Sequence, residues 1–146
     1  MAIRTGISKA WRTALIGALQ GHELRVALFY VDADLDPLTV TVYDGTTGEG
    51  GTRMLGEING VGYTPGGFIL NTTLNDAGEI PFLDFDDVFI SGFTVTNLGG
   101  LMIYDVTDGN AVIALISLSP RTYINRDVQI IWPTANINSA VLRVLG

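Results

Sequence analysis

Two periods of hydrophobic and polar residues divide the chain. At its start, Ile7, Trp11, Leu15, Ala18 and Leu19 recur three or four positions apart, with Lys9, Arg12, Thr13 and Gln20 between them. That spacing predicts an amphipathic helix over residues 7–20. Thr5 or Ser8 can cap its start and Gly21 can end it. Its apolar stripe is expected to cover one end or edge of a sheet, or to dock on a neighbouring subunit.

From Leu24 the period becomes two. Leu24–Tyr30, rich in aliphatic and aromatic residues, reads as a buried strand. Leu38–Tyr43 alternates Val and Thr and reads as another, Asp44–Gly51 as a Gly-rich loop, and Thr52–Ile58 as a further strand. Gly67–Leu74 and Ile80–Phe89 are strand-like on either side of a turn at 75–78. Phe93–Thr96, Leu101–Tyr104, Ala111–Leu118, Asp127–Trp132 and Ala140–Leu145 follow. They are separated by Asn97-Leu98-Gly99-Gly100, Asp108-Gly109-Asn110, Ser119-Pro120 and Pro133–Ser139. Many short strands after one helix, with no crossover helices, give an all-β fold, a β-sandwich or jelly-roll-like domain with one short N-terminal amphipathic helix. The expected division is an arm and helix over 1–22 and a single β-sandwich domain over 23–146.

One stretch organises this pattern. Gly56–Gly67 is dense in backbone punctuation, and Thr64-Pro65-Gly66-Gly67 predicts a type II turn with Pro65 second and Gly66 third. The structural turn residues are Gly62, Tyr63, Pro65, Gly66 and Gly67, with Tyr63 as the large anchor of a sharp corner between strands.

Composition then narrows the function. The chain has 146 residues, 47% hydrophobic and only 16% charged. That argues against intrinsic disorder, and it leaves apolar surface for a partner or sister copies to cover. A net charge of −7 disfavours a nucleic-acid partner, which calls for a basic face. There is no cysteine, so disulfides, thiolate chemistry and cysteine zinc sites are excluded. No window approaches a transmembrane span, so no membrane partner is expected. Arg4, Lys9 and Arg12 precede the run Thr13–Leu19, but that run is at the lower limit for a signal peptide and no cleavage site follows cleanly.

The candidate chemistry is thin. Asp32-x-Asp34-x-Asp36 imitates an EF-hand start, but Pro37 stands where glycine is needed and Tyr43 where glutamate is needed; a solvated acidic turn is the reading. Asp84 and Asp86 sit two apart, so a strand puts both on one face; such a pair can do acid–base work, hold a metal, or simply face water. His22, the one histidine, follows the predicted helix end, and no Gly-x-Ser-x-Gly elbow accompanies it. Gly60-x-Gly62-x-x-x-Gly66 has the wrong spacing for a nucleotide loop. Asn71-Thr72-Thr73 is a formal glycosylation sequon. Trp11, Trp132 and Tyr63 read as core or interface aromatics rather than a sugar-stacking set. No catalytic residue, cofactor site or metal site is assigned.

The order of six segments carries a resemblance. Leu24–Tyr30, Glu57–Gly67, Phe82–Val88, Gly100–Tyr104, Ala111–Leu115 and Asp127–Pro133 together resemble a family of small virion structural proteins of tailed bacteriophages. Its most characteristic segment is a Glu-Val-x-Gly-x-Gly-Tyr-Thr-x-Gly-Gly pattern, which Glu57–Gly67 is similar to. Two departures are a longer stretch at 31–53 and Ser117-Leu118 where the family often has Asp-Phe. The resemblance implies a non-enzymatic capsid decoration (cement) protein. It would be made in the bacterial host cytoplasm, carried on the capsid surface of the virion and bound to the major capsid protein of the same phage, as a homo-oligomer, a trimer. Arg4, Lys9 and Arg12 are the expected capsid contacts. The alternative is a tail- or fibre-associated receptor-binding protein using Tyr63 and the loop Asp44–Arg53. A third reading is a hydrolase using Asp84 and Asp86.

Overall fold

The computed structural model describes residues 3, 8–78, 80–132 and 142–143. It is all-β, with antiparallel sheets and one short helix. The elements are α1 (Lys9–Gly17), β1 (Leu24–Tyr30), β2 (Phe68–Leu70), β3 (Thr72–Asn75), β4 (Phe82–Phe85), β5 (Val88–Asp105), β6 (Ala111–Ile130) and β7 (Leu142–Arg143). They form two compact units, and the chain passes between these at 22/23, 70/71, 87/88 and 130/131.

The larger unit, Glu23–Leu70 with Val88–Ile130, holds a four-stranded sheet in the order β2-β1-β5-β6. β1 is buried along nearly its whole length, because strands lie on both sides of it and side chains cover both faces. On one face Ala27, Phe29, Met102 and Tyr104 pack with Tyr43, and Ala33, Leu35, Val40 and Met54 of the long loop close over them. The smaller unit takes residues 1–22, 71–87 and 131–146. In it β3, β4 and β7 form a three-stranded sheet, and Phe85 meets Trp132 edge to face at 5.4 Å. The Trp132 indole N–H donates to the Asp86 carbonyl at 3.0 Å.

Several local expectations need correction. The helix is shorter than 7–20: Ser8 caps it, its hydroxyl accepting from the Trp11 N–H at 3.2 Å, and the α-helix tightens into a 3-10 turn over Ala18–Gly21. Its buried position is Ile16; Trp11 and Leu15, expected in the apolar stripe, are 60% and 49% exposed. The strands expected at 38–43 and 52–58 are loop. Thr39 and Val40 turn back onto the Asp36 carbonyl, and only Val42 and Glu57 make isolated bridges. The predicted strand at 67–74 breaks at Asn71 into β2 and β3, and that at 80–89 breaks at Asp86-Asp87. Conversely, Leu98-Gly99-Gly100 and Ser119-Pro120 do not end strands. β5 runs 18 residues and β6 runs 20, absorbing those residues in bulges opposite one another. Pro120 is tolerated because β6 is an edge strand and the residue falls where the register with β5 shifts, between Ser117 and Arg121. The expected loop at 133–139 and most of the strand at 140–145 lie outside the described residues.

Candidate functional site

The Gly56–Gly67 corner is stitched to two strands. At its start Ile58 gives its N–H to the Leu28 carbonyl at 3.0 Å, and Tyr30 gives its own to Gly56 at 2.9 Å. At its tip Val61 and Thr94 exchange both backbone bonds at 3.1 Å, which places the corner on the edge of β5 beyond the end of β1. The type II turn forms as expected: Gly67 donates to the Thr64 carbonyl at 3.0 Å and Gly66 has φ +86°. Gly67 is fixed by close approach as well as by φ, since a Cβ there would collide with the Val26 carbonyl.

Inside the corner lies a group that sequence reasoning missed. Glu57 is 4% exposed, and its carboxylate receives four donors. Oε1 accepts from the Tyr63 hydroxyl at 2.7 Å and the Gly66 N–H at 2.7 Å. Oε2 accepts from the Tyr43 hydroxyl at 2.7 Å and the Met54 N–H at 2.9 Å. Charge-assisted bonds of this length are the strong kind, and they offset the cost of burying the acid. The Tyr63 oxygen in turn accepts the Leu28 N–H at 3.0 Å. Tyr104 donates to the Gly66 carbonyl at 2.6 Å and stacks on Tyr43 with ring centroids 4.5 Å apart.

Burial, and then the neighbouring Glu57 carboxylate, push the Tyr63 hydroxyl well above its ordinary range. Burial, then the hydrogen bond to Glu57, do the same to Tyr43. Burial also raises Tyr104, against a lowering pull from Arg25. All three hydroxyls therefore stay protonated and serve as donors. The signal in the sequence is an acid placed among glycines and apolar residues, with a tyrosine six positions on.

The other candidates are scattered. Asp84 is half-buried in β4, whereas Asp86 is exposed just past its end and uses its backbone, donating to the Asn71 carbonyl and accepting from Trp132. Asp32, Asp34 and Asp36 are exposed, and Asp36 closes a local turn by accepting the Leu38 N–H at 2.8 Å. No three His, Asp or Glu side chains form a metal-holding group among the described residues. His22 is half-buried and caps the 3-10 turn. Tyr63 and Trp132 are buried and offer no ring face to a sugar. No described helix is long and apolar enough to cross a membrane.

The chain matches no family model, no curated protein and no solved structure.

What the described surface offers is contact. Lys9 is exposed and Arg12 half-buried beside the exposed Trp11 and Leu15, while Arg4 lies outside the described residues. In the larger unit Val61 at the corner's tip is 67% exposed, and Ile124 of β6 is 71% exposed. Thr94 lies between those two, bridged to Val61 and accepting the Asn125 N–H on its hydroxyl at 2.9 Å.

Proposed function

We propose that this chain is a non-enzymatic structural protein of a tailed-bacteriophage virion, a capsid decoration protein that binds the assembled head and stabilises it. The observation that carries the reading is the Glu57 corner. Glu57, Tyr63, Pro65, Gly66 and Gly67 belong to the segment with the strongest family resemblance. Their polar groups are spent on one another and on the backbone around them, which is the economy of a scaffold. Exposed apolar side chains, Val61 at the corner's tip and Trp11 and Leu15 on α1, suit a protein whose work is contact.

In this reading the partner is the major capsid protein. A protein that binds the closed shell but not its separated subunits stabilises the shell by mass action. Lys9 and Arg12, in a segment 1–22 that contains no acid, face the capsid, while the acids from Glu23 onward keep free copies soluble. Sister copies close around a threefold axis as a trimer, the arrangement the family resemblance implies.

Co-sedimentation of the purified chain with empty heads tests this. Binding that is lost in the double variant Lys9→Glu, Arg12→Glu, with unfolding unchanged, supports it. A chain that leaves heads bare but gives signal on a glycan array overturns it in favour of the tail-associated, receptor-binding reading.

A further inference from the structure

β6 is the outer strand of its sheet, and its free edge is treated differently along its length. At the start the edge is covered: Val42 bridges Ala111, and Val112 gives its N–H to the Thr41 carbonyl at 2.9 Å. Towards its end the edge is guarded. Pro120 has no N–H to offer, Arg121, Arg126 and Asp127 are charged, and Asn125 at φ 50° bends the strand. Proline, charge and bulges are the devices that keep strand edges from pairing.

Ala114–Ser117 has none of them, and Leu118, where the register with β5 begins to shift, is uncharged. The segment Ala114–Leu118 reads Ala-Leu-Ile-Ser-Leu, and its first four residues run in unbroken register with β5, from Ala114 opposite Ile103 to Ser117 opposite Gly100. Among the described residues no strand pairs with it on the outer side. An open edge turns every second N–H and C=O outward, and another strand satisfies such a row.

We propose that Ala114–Leu118 pairs antiparallel with the same segment of a second copy, about a two-fold axis at Ile116. The segment complements itself in that register. On one face Leu115 meets the small Ser117 of the copy; on the other, Ala114 meets Leu118, and Ile116 meets Ile116 across the axis. No charged residue opposes another. Moving the axis by one residue in one direction brings Pro120 opposite Ala114. Moving it in the other brings Val112, whose N–H is already given to Thr41, opposite Leu118. The covered start and the guarded end thus leave a window centred on Ile116, and two copies fill it to give one continuous eight-stranded sheet.

This goes beyond the virion reading and stands without it. The contact is isologous, so assemblies that use it contain an even number of copies, and a threefold contact added to it would give a hexamer rather than a free trimer.

The test is sedimentation equilibrium of the full chain and of two variants, Ile116→Lys and Ile116→Glu. The wild-type chain is expected at an even multiple of its 15.6 kDa mass, twice it for this contact alone and six times it where a threefold contact adds, at ~100 μM, a concentration at which micromolar contacts are populated. Each variant alone sets two like charges face to face and is expected to weaken association about tenfold or more. An equimolar mixture of the two is expected to recover it, because opposite charges then meet across the axis. If either variant fails to fold, Ala114→Lys and Leu118→Glu serve instead: each alone sets a charge opposite an apolar residue of the copy, and their mixture sets opposite charges face to face. A monomeric or purely trimeric wild type, an assembly indifferent to both charges, or a mixture that does not recover would each overturn the proposal. Loss of head binding with dimerisation intact would overturn only the virion reading.

Discussion

The Glu57 carboxylate and the Tyr63 hydroxyl lie 2.7 Å apart, six residues apart in sequence, with the type II turn bonded to the same carboxylate through the Gly66 N–H at 2.7 Å. The bond closes the Gly56–Gly67 corner on itself. Tyr63 passes the linkage on to β1 by accepting the Leu28 N–H, so a local turn becomes part of the sheet.

Removing the carboxylate should therefore be costly. Glu57→Ala leaves two hydroxyls and two backbone N–H groups without their acceptor, and each buried donor left unsatisfied costs about 1–3 kcal/mol. Glu57→Gln keeps the shape but turns an amide NH2 against two donors, so it should fall between alanine and wild type. Tyr63→Phe should cost more than Tyr43→Phe, since only the former also strands the Leu28 N–H. Urea denaturation of the four variants checks the order.

The same tyrosines set an alkaline limit. In the unfolded chain their hydroxyls ionise near pH 10. In the folded chain burial and Glu57 hold all three above that value. Above about pH 10 the unfolded state alone releases these protons, so stability is intact below that pH and falls as pH rises through it. Unfolding free energies measured between about pH 9 and 11 should show the decline, and Tyr63→Phe should make it shallower. A profile that stays flat across that window contradicts the buried arrangement.

Gly67 offers a sharper test of backbone fit. Gly67→Ala must accommodate φ +75° and a Cβ driven into the Val26 carbonyl, a backbone atom that cannot swing aside. It should lose more than about 3 kcal/mol and much of the folded population. Gly109→Ala, at φ +61° in open space, carries the dihedral penalty alone and should cost about 1 kcal/mol. Thermal unfolding separates them.

How much was legible in the sequence follows from which interactions are local. The type II turn, the Ser8 cap and β1 were readable because proline, glycine, serine and a dense apolar run act within a few residues of themselves. The long strands were not. Leu98-Gly99-Gly100 and Ser119-Pro120 look like turns, yet they face each other across the hairpin and their irregularities are absorbed in paired bulges, a fact of tertiary register. Residues 38–43 have strand-forming side chains, but the Asp36 carbonyl captures the Thr39 and Val40 N–H groups and bends the chain. Glu57 escaped notice because its partners Tyr43, Met54, Tyr63 and Gly66 lie on both sides of it in the chain and converge only on folding.

Pro120 and Arg121 should be guards rather than supports. Arg121 is exposed, and the Pro120 ring sits on the free edge of the sheet, so Pro120→Val with Arg121→Val should change unfolding free energy by less than about 1 kcal/mol. The replacement instead lengthens the uncharged, pairing-competent edge beyond Leu118. Strands of that composition add to one another without a fixed stopping point. Light scattering followed over hours at a fixed concentration should then rise for the double variant while the wild-type chain holds a constant mass. A variant that is destabilised but stays the same size would mean that Pro120 and Arg121 serve the fold, and that the end of β6 is kept from pairing by its bulges alone.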